Sequence, residues 1–400
     1  MEPSFATIPR ARKSTPTPFT VSVPKQQLSE FQTLLHLSKI EPKTFENGST
    51  DRQFGITRDW LVQAKAEWEK WDWRKRENRI NSFPNFTIPI EHNQETFTIH
   101  FAALFSQIPD AIPIIFLHGW PGNFMEFFSI MEILSQRYTP ETLPYHVVVP
   151  SLPGYAFSPP SLTRDFELQD IASIMNTLMV QLGFEDGYVC QGGDIGSKVP
   201  RVMAATYDTV KAIHINFCIM PRPEGVNDDN LDGSEKLGLE RSNEFMRVGS
   251  SYALQHATKP STIGLVLASS PIALLAWIGE KFLDWTDEDP PMDEILASVT
   301  LYWLTETFPR SIYPYRQLFT PGVVGAHEKP EWHIRKPFGY SWFPKELAPI
   351  PQAWAATTGT LSFYRKHENG GHFAAMEKPE VLLADLEAFL DEAWKNNACT

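Results

Sequence analysis

The segment VCQGGDIGSKVP, residues 189–200, sets Asp194 at the centre of a small-x-acid-x-small pattern, Gly192-Gly193-Asp194-Ile195-Gly196. A strand that turns abruptly into a helix holds its central side chain above the edge of a sheet, and glycines are needed where the two elements crowd together. A serine in such a place attacks acyl carbons. A carboxylate instead attacks an sp³ carbon and becomes an ester of the enzyme, which water can then cleave. An alkylated serine would be an ether, beyond the reach of the same water. Asp194 therefore points to alkylation followed by ester hydrolysis.

That chemistry needs an oxyanion hole, a base and an acid that orients the base. The loop HGWPG (118–122) follows the apolar run PIIFL and nominates the backbone amides of Trp120 and Ile195 as the hole. His118, at a strand end, is read as a loop-fixing residue. The base belongs near the C-terminus, where ENGGHFAAMEKPE presents His372 after two glycines, and FPKEL supplies Glu346 between nucleophile and base. Glu368 shares the loop of His372 and is read as solvated. His36, His92, His100, His146, His214, His256, His327, His333 and His367 are read as structural or surface residues. A strained ring oxygen leaves best with help from a weak acid, and Tyr252, Tyr302, Tyr313 and Tyr315 are on hand; a halide would ask for N–H donors instead. Three readings follow: opening of an epoxide, dehalogenation of a haloalkane, or a silent ligand-binding relative. Ile195 stands where a halide-binding tryptophan is expected, and a complete nucleophile, acid and base speak against silence.

The elements that must position these residues are legible in the periodicity. TFTIHFAALF alternates as a strand, while PIIFL, YHVVVP, GYVCQGG and VKAIHINF are short apolar runs suited to buried parallel strands. Between them FELQDIASIMNTLMVQLGF carries one apolar stripe and GSKVPRVMAATY leaves the Asp194 turn as a helix. The expectation is an α/β fold, a mostly parallel central sheet with helices on both faces. Residues 1–95 form an N-terminal extension that wraps the core, with Trp60, Ala64 and Trp68 recurring every four residues. Residues 96–218 form the first part of the core, 219–330 a helical lid without strands, and 331–400 the second part with strands near 334–343 and at TLSFYRKH.

A formal charge of -13 over 400 residues argues against nucleic acid or an anionic membrane surface as partner. Twelve Trp and 27 Phe would suit an apolar ligand cavity. Cys190, Cys218 and Cys399 show no metal-ligand or disulfide spacing and are read as free thiols of a reducing compartment. No signal peptide or long apolar span is visible, so a soluble cytoplasmic protein is expected, and the acceptor-like sites at Asn47 and Asn85 are read as chance matches. No metal and no organic cofactor is expected.

Taken together, FGITRDWLVQAKAEWEKWDWRKRENRINSFPNF, HGWPG, PSLPGYAFS, GGDIGS, HATKPSTIGLVLASSP, FPKEL and GGHFAAMEKPE resemble the microsomal-type epoxide hydrolases, especially their soluble fungal members. The resemblance spans nearly the whole chain. It implies the α/β-hydrolase fold and conversion of apolar aryl or alkyl epoxides and water to vicinal diols, a detoxifying type of reaction, through a covalent aspartyl ester. It also implies a protein without the mammalian membrane anchor, and in some members a homodimer. By position it puts the nucleophile on Asp194, the acid on Glu346, the base on His372, and the ring-opening tyrosines on Tyr252 and Tyr315, with Tyr313 as rival for the second. Where the family reads SPxGLxAY, this chain has SPIALLAWI, so Ala273 and Trp277 are expected to alter the cavity.

Overall fold

The computed structural model describes residues 4–8, 14–320, 323–324 and 327–397. Alternating apolar residues in β2 (Asn85–His92) and β3 (Glu95–Leu104) build an antiparallel hairpin, with the two-residue β1 (Thr17–Pro18) paired on its outer edge. Its turn residues, Asn93 and Gln94, both have positive φ, as the tight turn matching strand twist demands. The sheet therefore begins inside the segment expected to be only a wrap.

The continuous apolar runs become parallel strands: β4 (Ile112–Leu117), β5 (Tyr145–Pro150), β6 (Tyr188–Gly192) and β7 (Val210–Ile215). After the lid, which ends in a short hairpin of β8 (Phe319–Thr320) and β9 (Val323–Val324), β10 (Ile334–Trp342) and β11 (Gly359–Lys366) complete the sheet. The strand order is β1-β2-β3-β5-β4-β6-β7-β10-β11. Such runs need no alternation, because helices cover both faces: Phe128–Arg137 packs with Pro379–Asn397, and Leu168–Gln181 with Ile195–Thr206. Ile115, Val148, Val189 and Ile213 are fully buried between them, each contributing about 1.5–3 kcal/mol of transfer free energy.

The register decides where chemistry can occur. Leu117 pairs with Gly192, Gly192 with Ile215, and Ile215 with Tyr340, so four parallel strands end level with one another. The loops that leave them carry Trp120, Asp194, Phe217 and Glu346. This aligned carboxyl edge is where open α/β sheets place their ligands.

Over that edge sit the lid helices, including Gly233–Glu244, Ser251–Thr258, Pro260–Leu267, Pro271–Trp285 and Met292–Leu304. Within the run LVLASSPIALL one helix gives way to the next where Ser270 caps the second through Ala273 N–H and Pro271 takes its first position. The β8–β9 hairpin corrects the strandless reading of the lid; two-residue strands leave no periodic signal. The N-terminal helices Lys25–Leu37, Arg58–Trp68 and Trp73–Asn81 grip the lid. Trp68 Nε1 donates to Thr300 Oγ1 at 2.8 Å, Gln27 Nε2 to Leu304 O at 2.6 Å, and buried Arg76 pairs with Glu294 at 3.1 Å. Among the described residues no single helix is long and apolar enough to cross a membrane.

Candidate active site

Asp194 joins β6 to the helix Ile195–Thr206 with φ 50° and ψ -129°, a conformation that costs a non-glycine residue of order 1–3 kcal/mol. The neighbouring glycines are demanded by close approach. A Cβ on Gly192 would lie 1.9 Å from Gly196 O, and one on Gly196 would lie 1.9 Å from Leu117 O. Helix, turn and β4 are thereby locked, and the aspartate is held at the top of the turn with its side chain 16% exposed.

The Trp120 amide donates to Asp194 Oδ1 at 2.7 Å, and the Ile195 amide also donates to this carboxylate. The two amides named as an oxyanion hole thus hold the nucleophile candidate itself. Gly119 makes room for it, since a Cβ there would stand 2.1 Å from Oδ1. Oδ2 faces His372 Nε2 at 3.5 Å. On the far side of the ring, Nδ1 donates to Glu346 Oε1 at 2.5 Å, and Glu346 is fully buried and accepts from Leu347 N–H at 2.6 Å. The loops bearing acid and base are clamped by Lys345 N–H donating to Gly370 O at 3.0 Å. Trp285 and Phe217 meet the His372 ring edge-on at 5.1 and 5.5 Å.

Burial pushes the Asp194 carboxyl up, but His372 and the Ile195 and Trp120 amides outweigh it and hold the group below the usual range. Burial works against a charged His372, yet the Glu346 and Asp194 carboxylates outweigh it and raise the ring to about 10. Both shifts favour the charged forms, a carboxylate at Asp194 facing an imidazolium at His372.

Tyr252 and Tyr315 come from separate lid helices, Ser251–Thr258 and Pro314–Leu318, and meet over this carboxylate. Their rings stand edge to face at 5.8 Å, with the two hydroxyls near enough to act on one another. Burial raises both phenols well above their ordinary value, so they stay protonated donors. Trp120 stacks on Tyr252 at 5.3 Å, while His256 packs edge-on against Trp120 and Tyr315 and accepts from Trp277 Nε1 at 3.1 Å. Trp277 is thus linked to the tyrosines by way of His256. Tyr313 and Tyr302 are engaged elsewhere, donating to Pro153 O at 2.8 Å and Gly122 O at 3.0 Å.

The narrow chamber between Asp194 and the tyrosines has apolar walls, among them Phe217, Ile219, Phe245 and Leu318, and one cation, Lys198. Phe245 and Leu347 also border a larger cleft of about 720 Å³ that carries Trp285. Lys198 and Phe245 had no mark in the sequence beyond, for Lys198, its place four residues after Asp194. His118 is structural as expected: Nδ1 donates to Gly119 O, Nε2 accepts from Leu152 N–H, and burial pulls its pKa down to about 4. Glu368 is exposed. Asn85 is buried with its amide donating to Ile80 O and Phe83 O, which leaves no room for a sugar. Cys190 and Cys218 are buried free thiols; Cys399 lies outside the described residues. Among the described residues, no group of three His, Cys, Asp or Glu is arranged to hold a metal ion.

Sequence profiles match the part of the chain that carries Trp120 and Asp194: "epoxide hydrolase N terminus" over residues 16–127 and "alpha/beta hydrolase fold" over 112–229. The solved structure of the Aspergillus niger epoxide hydrolase superposes with a TM-score of 0.93 at 52% identity, covering 98% of this chain and all of that one. A Dothistroma septosporum protein assigned to the epoxide hydrolases is 44% identical over 98% of this chain and 93% of its own length. Epoxide hydrolase 1 of Sus scrofa is 31% identical over 93% and 88%. With these likenesses spanning lid, sheet and N-terminal segment alike, the chain belongs to the epoxide hydrolase family.

Proposed function

We propose that this epoxide hydrolase converts apolar aryl or alkyl epoxides to vicinal diols through an ester on Asp194. The observation that carries the reading is the division of labour between the two oxygens of one carboxylate. Oδ1 accepts from the Trp120 amide at 2.7 Å, with the Ile195 amide beside the same carboxylate, while Oδ2 lies 3.5 Å from the base. Oδ2 attacks a ring carbon, the C–O bond breaks, and Tyr252 and Tyr315 stabilise the departing oxygen, one of them giving it a proton. The new ester already has its carbonyl oxygen, Oδ1, in the oxyanion hole. His372, oriented by Glu346 and no longer paired with a carboxylate at Asp194, gives its resting proton to the tyrosinate, then takes one from water, and the hydroxide attacks Cγ of Asp194. The tetrahedral intermediate carries its charge on Oδ1 and is held by the same two amides. Collapse releases the diol and leaves the Asp194 carboxylate beside protonated His372, as at the start. One water is consumed per epoxide, with no further reactant.

The chamber's apolar walls favour apolar skeletons and keep bulk water from the alkylation step, and the cleft beside Phe245 and Leu347 is its approach. A haloalkane dehalogenase reading has less support, since Ile195 follows the nucleophile and two phenols, Tyr252 and Tyr315, stand over it. A cytoplasmic enzyme with a detoxifying role, dimerising as some soluble members do, is part of the same proposal; the buried free thiols of Cys190 and Cys218 support the compartment. The test is Asp194→Ala assayed with an aryl epoxide. Diol formation should vanish with the circular dichroism unchanged, whereas a wild-type rate would remove Asp194 from the mechanism.

A further inference from the structure

Lys198 lies one turn beyond Asp194 on the helix Ile195–Thr206 and faces the same chamber. Its side chain is only 3% exposed. Among the described residues its ammonium forms no ion pair and no hydrogen bond; the contact it makes is with the Phe217 ring, whose centroid lies 5.8 Å from Nζ. The charged and titratable groups around it are Asp194, Glu328, Cys218 and Lys329. Burial pulls its pKa down to about 8, against the opposing pull of Asp194 and Glu328.

A buried ammonium without a partner is costly, and an apolar side chain of similar volume would fill the site at less expense. Nothing in the packing asks for a cation here. One turn further on, Arg201 bonds Thr358 O and so has a place in the fold; Lys198 has no such tie. It lines the chamber beside Asp194 in which the epoxide would react.

We propose that Lys198 is a specificity-determining residue that receives a carboxylate carried by the substrate, so that the preferred substrates are epoxy acids with an otherwise apolar skeleton. The inference rests on the reading of Asp194 as nucleophile and narrows its substrate class. Chemistry strengthens the match during turnover. In the free enzyme Asp194 and Glu328 compete for Lys198; once alkylated Asp194 is neutral, and the substrate carboxylate has Glu328 alone to compete with for the ammonium.

The experiment compares epoxy acids, with the carboxylate one, two or three carbons from the ring, against their primary carboxamides, which have the same shape without the charge. The wild type should prefer the acid in kcat/KM by at least about tenfold at one spacing or more, and Lys198→Met should reduce that preference by about 10- to 100-fold, the range of a charge-assisted hydrogen bond, while Lys198→Arg keeps most of it. Equal loss on acid and amide, or no acid preference at any spacing, overturns the inference. Should Lys198→Met fail to fold, competitive inhibition of the wild type decides: saturated acids of the same skeleton must bind at least about tenfold more tightly than their amides. A simple aryl epoxide runs alongside. Diol from it without acid preference overturns the role of Lys198 alone; no diol from any epoxide overturns the reading beneath.

Discussion

Alkylation of Asp194 turns a carboxylate 3.5 Å from His372 Nε2 into a neutral ester. Two unit charges about 4 Å apart interact by about 4 kcal/mol at an effective dielectric near 20, and at 1.36 kcal/mol per unit this is roughly three pK units. His372, held up at about 10 in the free enzyme by two carboxylates, keeps only Glu346 in the ester. Its pKa then falls to roughly 7 on that arithmetic. The sign is what makes the cycle work: the ring is protonated while Asp194 attacks as an anion, and becomes a base when a base is first required. Below its ester-state pKa the ring stays protonated and hydrolysis stalls. Rapid-quench mass spectrometry at saturating aryl epoxide should find the Asp194 ester abundant at acid pH and scarce above neutrality, with hydrolysis slowing about tenfold per pH unit on the acid side. An ester fraction that ignores pH, or rises with it, refutes the reasoning.

Glu346→Gln removes the charge that orients His372 and should lower kcat by about 10²- to 10⁴-fold; ester should accumulate in rapid quench, because attack by Asp194 is less affected than hydrolysis. Tyr252→Phe and Tyr315→Phe should each slow single-turnover ring opening by about 10- to 100-fold, and the double variant should open the ring far more slowly than either; unchanged rates in both single variants would exclude the pair. Gly119→Ala places a methyl 2.1 Å from Asp194 Oδ1 and should break the Trp120 contact, costing about 10²- to 10³-fold in kcat and about 1–3 kcal/mol of stability by urea titration.

The sheet was legible because parallel strands buried on both faces are plain apolar runs between turn residues, and the helix Leu168–Gln181 shows its stripe openly. The order of nucleophile, acid and base along the chain placed Glu346 and His372 on loops that the structure brings together at 2.5 Å. Three-dimensional contact was needed elsewhere. Tyr313 and Tyr315 are two residues apart, and only the placement of the short helix Pro314–Leu318 sends one to Pro153 O and the other to the chamber. The grip of the N-terminal helices on the lid depends on partners more than 200 residues away, such as Thr300 for Trp68. Lys198 was hidden because a lysine on a helix is ordinarily solvated; its burial follows from the lid closing over that turn.

A single turnover with enzyme in excess over an aryl epoxide, in water enriched in the heavy oxygen isotope, tests the ester on Asp194 most directly. The account predicts an unlabelled first-turnover diol, whose new hydroxyl oxygen comes from Asp194, with the heavy isotope appearing in the Asp194 carboxylate by peptide mass spectrometry. A first-turnover diol carrying the solvent label, with Asp194 unlabelled, would contradict it.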